Sequence, residues 1–130
     1  MRDLIDAAKA ARTMGEARYS HFFVGAAVRD EKGRVYGGCN IENAAYPQGW
    51  CAETTAISHL VMAGGKRITE VAVMGNGETL CTPCGGCRQK IREFAAADVK
   101  IHCCTETGDL IRTFTVEELL PYSFGPENLP

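Results

Sequence analysis

Two short stretches hold the residue types from which a reaction centre could be built: Cys51-Ala-Glu53 and Pro83-Cys-Gly-Gly-Cys87. Each opens a segment with helical periodicity, so sulfur donors stand at two separate loop-to-helix junctions. Cys84 and Cys87 fall on one face of an opening helical turn, and a sheet beneath the helices could bring Cys51 beside them. Three protein ligands with a fourth position left to water is the arrangement of catalytic zinc, whereas structural zinc closes with four. Helix N-termini carry a partial positive charge of about half a unit, which favours thiolate over thiol. Residues two apart on a regular helix point roughly 200° apart. Cys51 is therefore expected at the non-helical cap, with Glu53 free to reach back toward metal-bound water. Zinc can bring such water to a pKa of about 7, and a carboxylate within reach can then move protons between it and a leaving group. That chemistry is hydrolytic.

Other readings of the cysteines explain less. Cys84-Gly-Gly-Cys87 alone would suit a redox pair or half of a structural zinc knuckle, but the redox reading leaves Cys51 and Glu53 unused. A structural site must recruit Cys39, Cys81 or Cys103 as fourth ligand, and gives Glu53 no role. Cys81, Cys84 and Cys87 are evenly spaced like an iron–sulfur run, yet the position for a further cysteine holds Ile91. Cys39, Cys81, Cys103 and Cys104 read as small buried or loop thiols. His59 and His102 read as solvated or core residues, His21 is nearer the pocket sequence without being required as a ligand, and Trp50 suits either core or pocket wall.

The elements that must position these groups follow from periodicity. Residues 2 to 17 predict an amphipathic helix through Leu4, Ile5, Ala8, Ala11 and Met14. Phe22 to Arg29 and Arg34 to Asn40 predict a β-hairpin across Asp30-Glu-Lys-Gly33. Residues 51 to about 63 predict a helix stopped by Gly64-Gly65. Ile68 to Met74 predicts a strand covered on both faces. A helix from the Cys84 junction to about residue 97 follows, then strands 98 to 104 and 110 to 114 and a short helix over Val116 to Leu120. This order predicts helices packed on a mixed sheet.

Composition bounds the rest. The chain of 130 residues is 45% hydrophobic and 23% charged, enough for one domain over 1–130 with a real core. A formal charge of −2 gives no footprint for nucleic acid or anionic lipid. An odd count of 7 cysteines points away from a disulfide scaffold and toward metal or catalytic use in a reducing, cytoplasmic setting. No apolar stretch suits a membrane span or a signal peptide.

Cys-x-Glu followed by Pro-Cys-x-x-Cys is the pattern of zinc nucleobase deaminases, with the Glu as general acid/base. Beyond it, the chain resembles the short, homotetrameric cytidine deaminases. The resemblance runs through Tyr19-Ser20, Phe22, Val24-Gly-Ala-Ala27, Gly38-Cys-Asn-Ile-Glu-Asn-Ala-Ala-Tyr46, Cys51-Ala-Glu53, Pro83-Cys-Gly-Gly-Cys-Arg-Gln89 and Val116-Glu-Glu-Leu-Leu-Pro121, in the family's order. It implies a three-layer α/β/α fold on a mixed five-stranded sheet, one zinc per chain on Cys51, Cys84 and Cys87, and Glu53 as the proton shuttle. It further implies that Asn40 and Glu42 bind ribose, that Phe22 packs against the base, and that Ala52 contacts substrate. Ala44, Tyr46 and Phe124 match positions that reach neighbouring subunits' pockets. The implied reaction is removal of the 4-amino group of cytidine and deoxycytidine in pyrimidine salvage.

One position departs from the pattern. Most short-form members carry Arg directly after Cys-Ala-Glu, where it bonds to ligand sulfur; this chain has Thr54. Three thiolates and a zinc dication leave a net negative centre, so a lost cation matters. Arg88 and the two helix ends are expected to carry the neutralisation instead. Gln48-Gly-Trp50 also differs from the commoner sequences, which leaves a modified cytosine nucleoside such as blasticidin S as an alternative substrate and a non-catalytic zinc or redox module as an alternative role.

Overall fold

The computed structural model describes all residues, Met1–Pro130. Its elements in chain order are α1 (Arg2–Arg12), β1 (Gly25–Asp30), β2 (Val35–Cys39), α2 (Ala52–Met62), β3 (Ile68–Met74), α3 (Gly85–Phe94), β4 (Ala95–Cys104), β5 (Leu110–Thr115) and α4 (Val116–Leu119), with single 3-10 turns at Tyr46–Gln48 and Pro126–Asn128. The strands form one five-stranded mixed sheet in the order β2-β1-β3-β4-β5. β3 and β4 are parallel, while β1 is antiparallel to both β2 and β3, and β5 is antiparallel to β4. No helix is long and apolar enough to cross a membrane.

Strand alternation sorts the sheet into two apolar faces. Ala26, Val28, Val71, Val73, Ile101 and Cys103 point to the side covered by α2, α3 and α4, where Ala56, Leu60, Ile91 and Leu119 meet them. Ala27, Ala72, Met74 and Cys104 point to the other side, closed by Leu4, Ile5 and Ala8 of α1. That is the α/β/α layering, and it explains why the middle strands carry apolar residues at consecutive positions. Cys103 and Cys104 are both buried, one on each face.

Three boundaries differ from the sequence expectation. The first helix ends at Arg12 rather than near residue 17: Thr13, Met14 and Gly15 donate to carbonyls three residues back, and Met14 is left exposed because nothing packs over it. β1 begins at Gly25 rather than Phe22. The preceding backbone is held by side-chain amides, with Phe23 N donating to Asn76 Oδ1 at 3.1 Å and Val24 N donating to Asn40 Oδ1 at 3.0 Å. The helix expected to run to residue 97 stops at Phe94, and Ala95 is already paired with Ile68 of β3. Sheet pairing overrides the helical preference of consecutive alanines there.

The seat of α2 follows from one residue without a side chain. A Cβ on Gly38 of β2 would land on the Ala52 carbonyl and the Ala56 amide, so the helix start lies directly on the strand. Gly38→Ala is therefore expected to lower the urea unfolding free energy by about 1–3 kcal/mol, as overpacking does. An unchanged unfolding midpoint would mean that the helix is not seated there.

Candidate metal and catalytic site

Cys51 is the N-cap of α2 and Cys84 the N-cap of α3, both with extended backbone (φ −77°, ψ 151° and φ −66°, ψ 168°). Neither cap is made by a side-chain hydrogen bond, which leaves both sulfurs free to meet each other. Cys87 lies within the first turn of α3 and is buried. Sγ of Cys51 and Sγ of Cys84 are 3.9 Å apart, and the three sulfurs lie within 4.8 Å of one another. Sulfurs that share one tetrahedral zinc at about 2.3 Å stand roughly 3.8 Å apart. The donor set and its spacing fit zinc with an open fourth position.

The electrostatics of the trio point the same way. A thiolate on Cys51 is stabilised by the neighbouring Cys87 thiol, opposed by burial, and helped by Cys84 and by the charge of Lys90; its pKa is lowered to about 6. The same contact, together with burial and the nearby Glu53, drives Cys87 strongly upward. Without a cation between them, the Cys51 thiolate opposes ionisation of Cys87. A divalent metal removes that conflict by stabilising every thiolate it touches.

Glu53 occupies the first turn of α2 and is 4% exposed. Burial pushes its carboxyl up to about 7, the charge of Cys51 adds to the rise, and Lys90 opposes it. A carboxyl poised near neutrality can both take and give a proton. It opens, with Cys51 and Cys84, onto a cavity of about 400 Å³ whose wall also includes Phe22, Asn40, Glu42, Tyr46, Trp50 and Ala52. A second hollow of about 340 Å³ adjoins it across Glu42 and Tyr46; it holds no group that could carry out the reaction.

Two polar residues on the wall, Asn40 and Glu42, are tied to the chain itself. Asn40 Nδ2 donates to the Phe22 carbonyl at 2.9 Å while its Oδ1 accepts from Val24 N. Glu42 Oε1 accepts from the backbone of Tyr19 at 2.9 Å and Ser20 at 3.0 Å, and its Oε2 accepts from the Ser20 hydroxyl. These contacts hold the Glu42 carboxyl below the usual carboxylate range. Each residue thus pins the Tyr19–Val24 loop while keeping spare capacity: one N–H on Asn40 and a lone pair on Glu42 Oε2.

Not every expected site residue lines this cavity. Ala44 and Phe124 are exposed outside it. Arg88, expected as the neutralising cation, donates to the Pro83 carbonyl (2.7 Å), the Leu119 carbonyl (2.8 Å) and Thr82 Oγ1 (2.8 Å), and to none of the sulfurs. Its guanidinium is used up in bracing the loop that presents Cys84. Thr54 does reach a ligand, with Oγ1 3.8 Å from Cys87 Sγ. Val24, Ile41, Cys81 and Thr82 join the wall unforeseen, and Lys90, outside the cavity, reaches the cluster through Thr54 Oγ1. Lys90 could have been found from its place three residues after Cys87 on the same helix face.

The matched family model is the cytidine and deoxycytidylate deaminase zinc-binding region, over residues 1–103. The chain belongs to this family. It is 42% identical to a cytidine deaminase of Sporosarcina psychrophila over 97% of this chain and 92% of that protein. A cytidine deaminase of Halalkalibacterium halodurans is 40% identical, covering 97% and 95% of the two chains. Among solved structures, the cytidine deaminase from Burkholderia pseudomallei superposes with a TM-score of 0.87 at 40% identity, over 94% of this chain and 97% of that one.

The raised Glu53 carboxyl links stability to pH in the metal-free protein. Folded Glu53 keeps its proton to a higher pH than the unfolded chain does, so its contribution is complete below the ordinary value of 4.5 and is lost as pH rises to about 7. Above that window Glu53→Gln should be more stable than the wild type by up to about 3 kcal/mol, and below it the two should converge. Urea unfolding with chelator and reductant on both sides of the window checks this; a constant offset across it would contradict the burial argument.

Proposed function

We propose that the chain hydrolyses the 4-amino group of cytidine and deoxycytidine, giving uridine and deoxyuridine with release of ammonia, and that it does so with one zinc held by Cys51, Cys84 and Cys87. The observation that carries the reading is the meeting of this sulfur trio with a nearly water-free Glu53, which shares one cavity wall with Cys51 and Cys84. When bound, zinc supplies an electrophile that acidifies water in its open position. Glu53 takes a proton from the attacking water and delivers it to N3 of the ring as C4 is attacked; it then takes the proton of the new C4 hydroxyl and gives it to the amine, so that the C4–N bond breaks, the carbonyl forms and ammonia leaves. Its carboxyl, near neutrality, suits both transfers.

Around that step the remaining residues orient the substrate. The Phe22 ring offers a face to the flat base, and Ala52 leaves room beside it. Asn40 and Glu42 offer their spare donor and acceptor to ribose hydroxyls, and because both are already fixed by loop contacts they lose little freedom on binding. Tyr46 and Trp50 on the cavity wall are 78% and 46% exposed, and Phe124, outside it, is 58% exposed. These exposed apolar side chains, with Ala44 also exposed, support a homotetramer in which neighbouring copies close one another's pockets.

Glu53→Gln should cut the absorbance change on cytidine by at least about a hundredfold while metal analysis still finds zinc. Full activity in that variant would remove Glu53 from the chemistry. Conversion of free cytosine but not of nucleosides would remove the ribose roles of Asn40 and Glu42, and selective conversion of blasticidin S would shift the substrate to a modified nucleoside.

The assembly is tested separately. Light scattering on the purified chain should give four times the monomer mass of 14.1 kDa. A stable, fully active monomer would contradict the shared pocket.

A further inference from the structure

Lys90 stands behind the sulfur cluster with no carboxylate in ion-pairing distance. Its Nζ donates to Thr54 Oγ1 at 3.2 Å, and the same Oγ1 lies 3.8 Å from Cys87 Sγ. On its other side the ammonium sits 5.0 Å from the centre of the Trp50 ring. Each neighbour of Lys90 is therefore tied to a sulfur: Trp50 directly precedes Cys51, Thr54 touches Cys87, and Lys90 itself follows Cys84 and Cys87 along one stripe of α3.

We propose that Lys90, acting through the Thr54 hydroxyl, is a positioning residue for the metal centre, which offsets the negative charge of the cysteine trio and so tightens its hold on zinc. This inference rests on the zinc-site reading above. An ammonium can only donate, so Thr54 Oγ1 accepts from Lys90 and its single proton is left for the Cys87 sulfur. The two atoms meet out of water, since Thr54 is 6% and Cys87 1% exposed, and there an oriented O–H is worth more than at the surface. The Trp50 ring face holds the cation in place within the range of a cation–π contact of about 6 Å.

Charge balance shows why such a residue is needed. Three thiolates outweigh a zinc dication by one unit, and the centre stays negative unless the protein supplies positive charge. The helix starts at Cys51 and Cys84 give partial charges only, and Arg88 is bound to two carbonyls and a hydroxyl. Lys90 supplies a whole charge, placed 3.2 Å from the Thr54 hydroxyl that in turn lies 3.8 Å from Cys87 Sγ.

A lysine that merely covers Trp50 with its aliphatic stem would act differently, and Lys90→Met separates the two because it keeps the stem and loses the charge. The readout is zinc affinity of the stripped chain, measured by competition with a chromophoric chelator at fixed pH and ionic strength. Lys90→Met is expected to bind zinc about tenfold more weakly, the lower end for a group supporting a metal ligand because the lysine is partly in water. Lys90→Arg should stay near the wild-type affinity. Thr54→Val should lose most of the same factor, and the double variant should be no weaker than Lys90→Met alone. Circular dichroism reads the fold of each variant, and Thr54→Val alone carries the test should Lys90→Met unfold. Wild-type affinity in Lys90→Met, equal losses in the Arg and Met variants, or additive losses with Thr54→Val would each overturn the link. A wild-type chain that holds no zinc would instead overturn the site itself.

Discussion

Three thiols within 4.8 Å cannot all give up their protons unless something positive stands between them. The rest of the molecule is arranged around that constraint. Two helices begin at the cluster, each with a cysteine at its cap, so the partial charges of both helix ends face the sulfurs. Burial that would otherwise penalise a charged group here raises Glu53 into the range where it can exchange protons. One low-dielectric pocket thus forces the sulfurs toward a metal and tunes the carboxyl beside them.

The fold serves this by fixing where the two helices start. α2 lies directly against β2 because Gly38 has no side chain to hold it off, which places Cys51 and Glu53 at the end of the sheet. α3 is braced by Arg88, whose donors tie Pro83 and Thr82 to Leu119 at the end of α4. On the opposite wall, Asn40, Glu42 and Asn76 take over from strand pairing and hold the Tyr19–Val24 loop by its backbone. Arg12 extends this hold, donating to the Phe23 carbonyl at 3.0 Å and to Asn76 Oδ1 at 2.5 Å. Asn40 and Glu42, which line the cavity, are thereby tied into the scaffold rather than left as free loop side chains.

Much of this could be read in the sequence because the relevant signals are local. Cys51 and Glu53 two apart, Cys84 and Cys87 three apart, and unbroken apolar residues in Val71–Met74 each report a spacing that the backbone must honour. What escaped were the features set by tertiary contact. The alanines at 95 to 97 look helical until the pairing of Ala95 with Ile68 is known. Arg88 adjoins Cys87 and so reads as the cation of the metal centre, yet the Pro83 and Leu119 carbonyls and Thr82 Oγ1 capture it. Lys90 carried the sequence signal of helical spacing, but only the position of Thr54 reveals what its charge could touch.

The central claim is a metal bound by these sulfurs with one place left for water, and zinc K-edge X-ray absorption on the purified holoprotein tests it most directly. The account predicts three sulfur scatterers at about 2.3 Å and one oxygen or nitrogen at about 2.0 Å. A shell of four sulfurs, or one without sulfur, would contradict it.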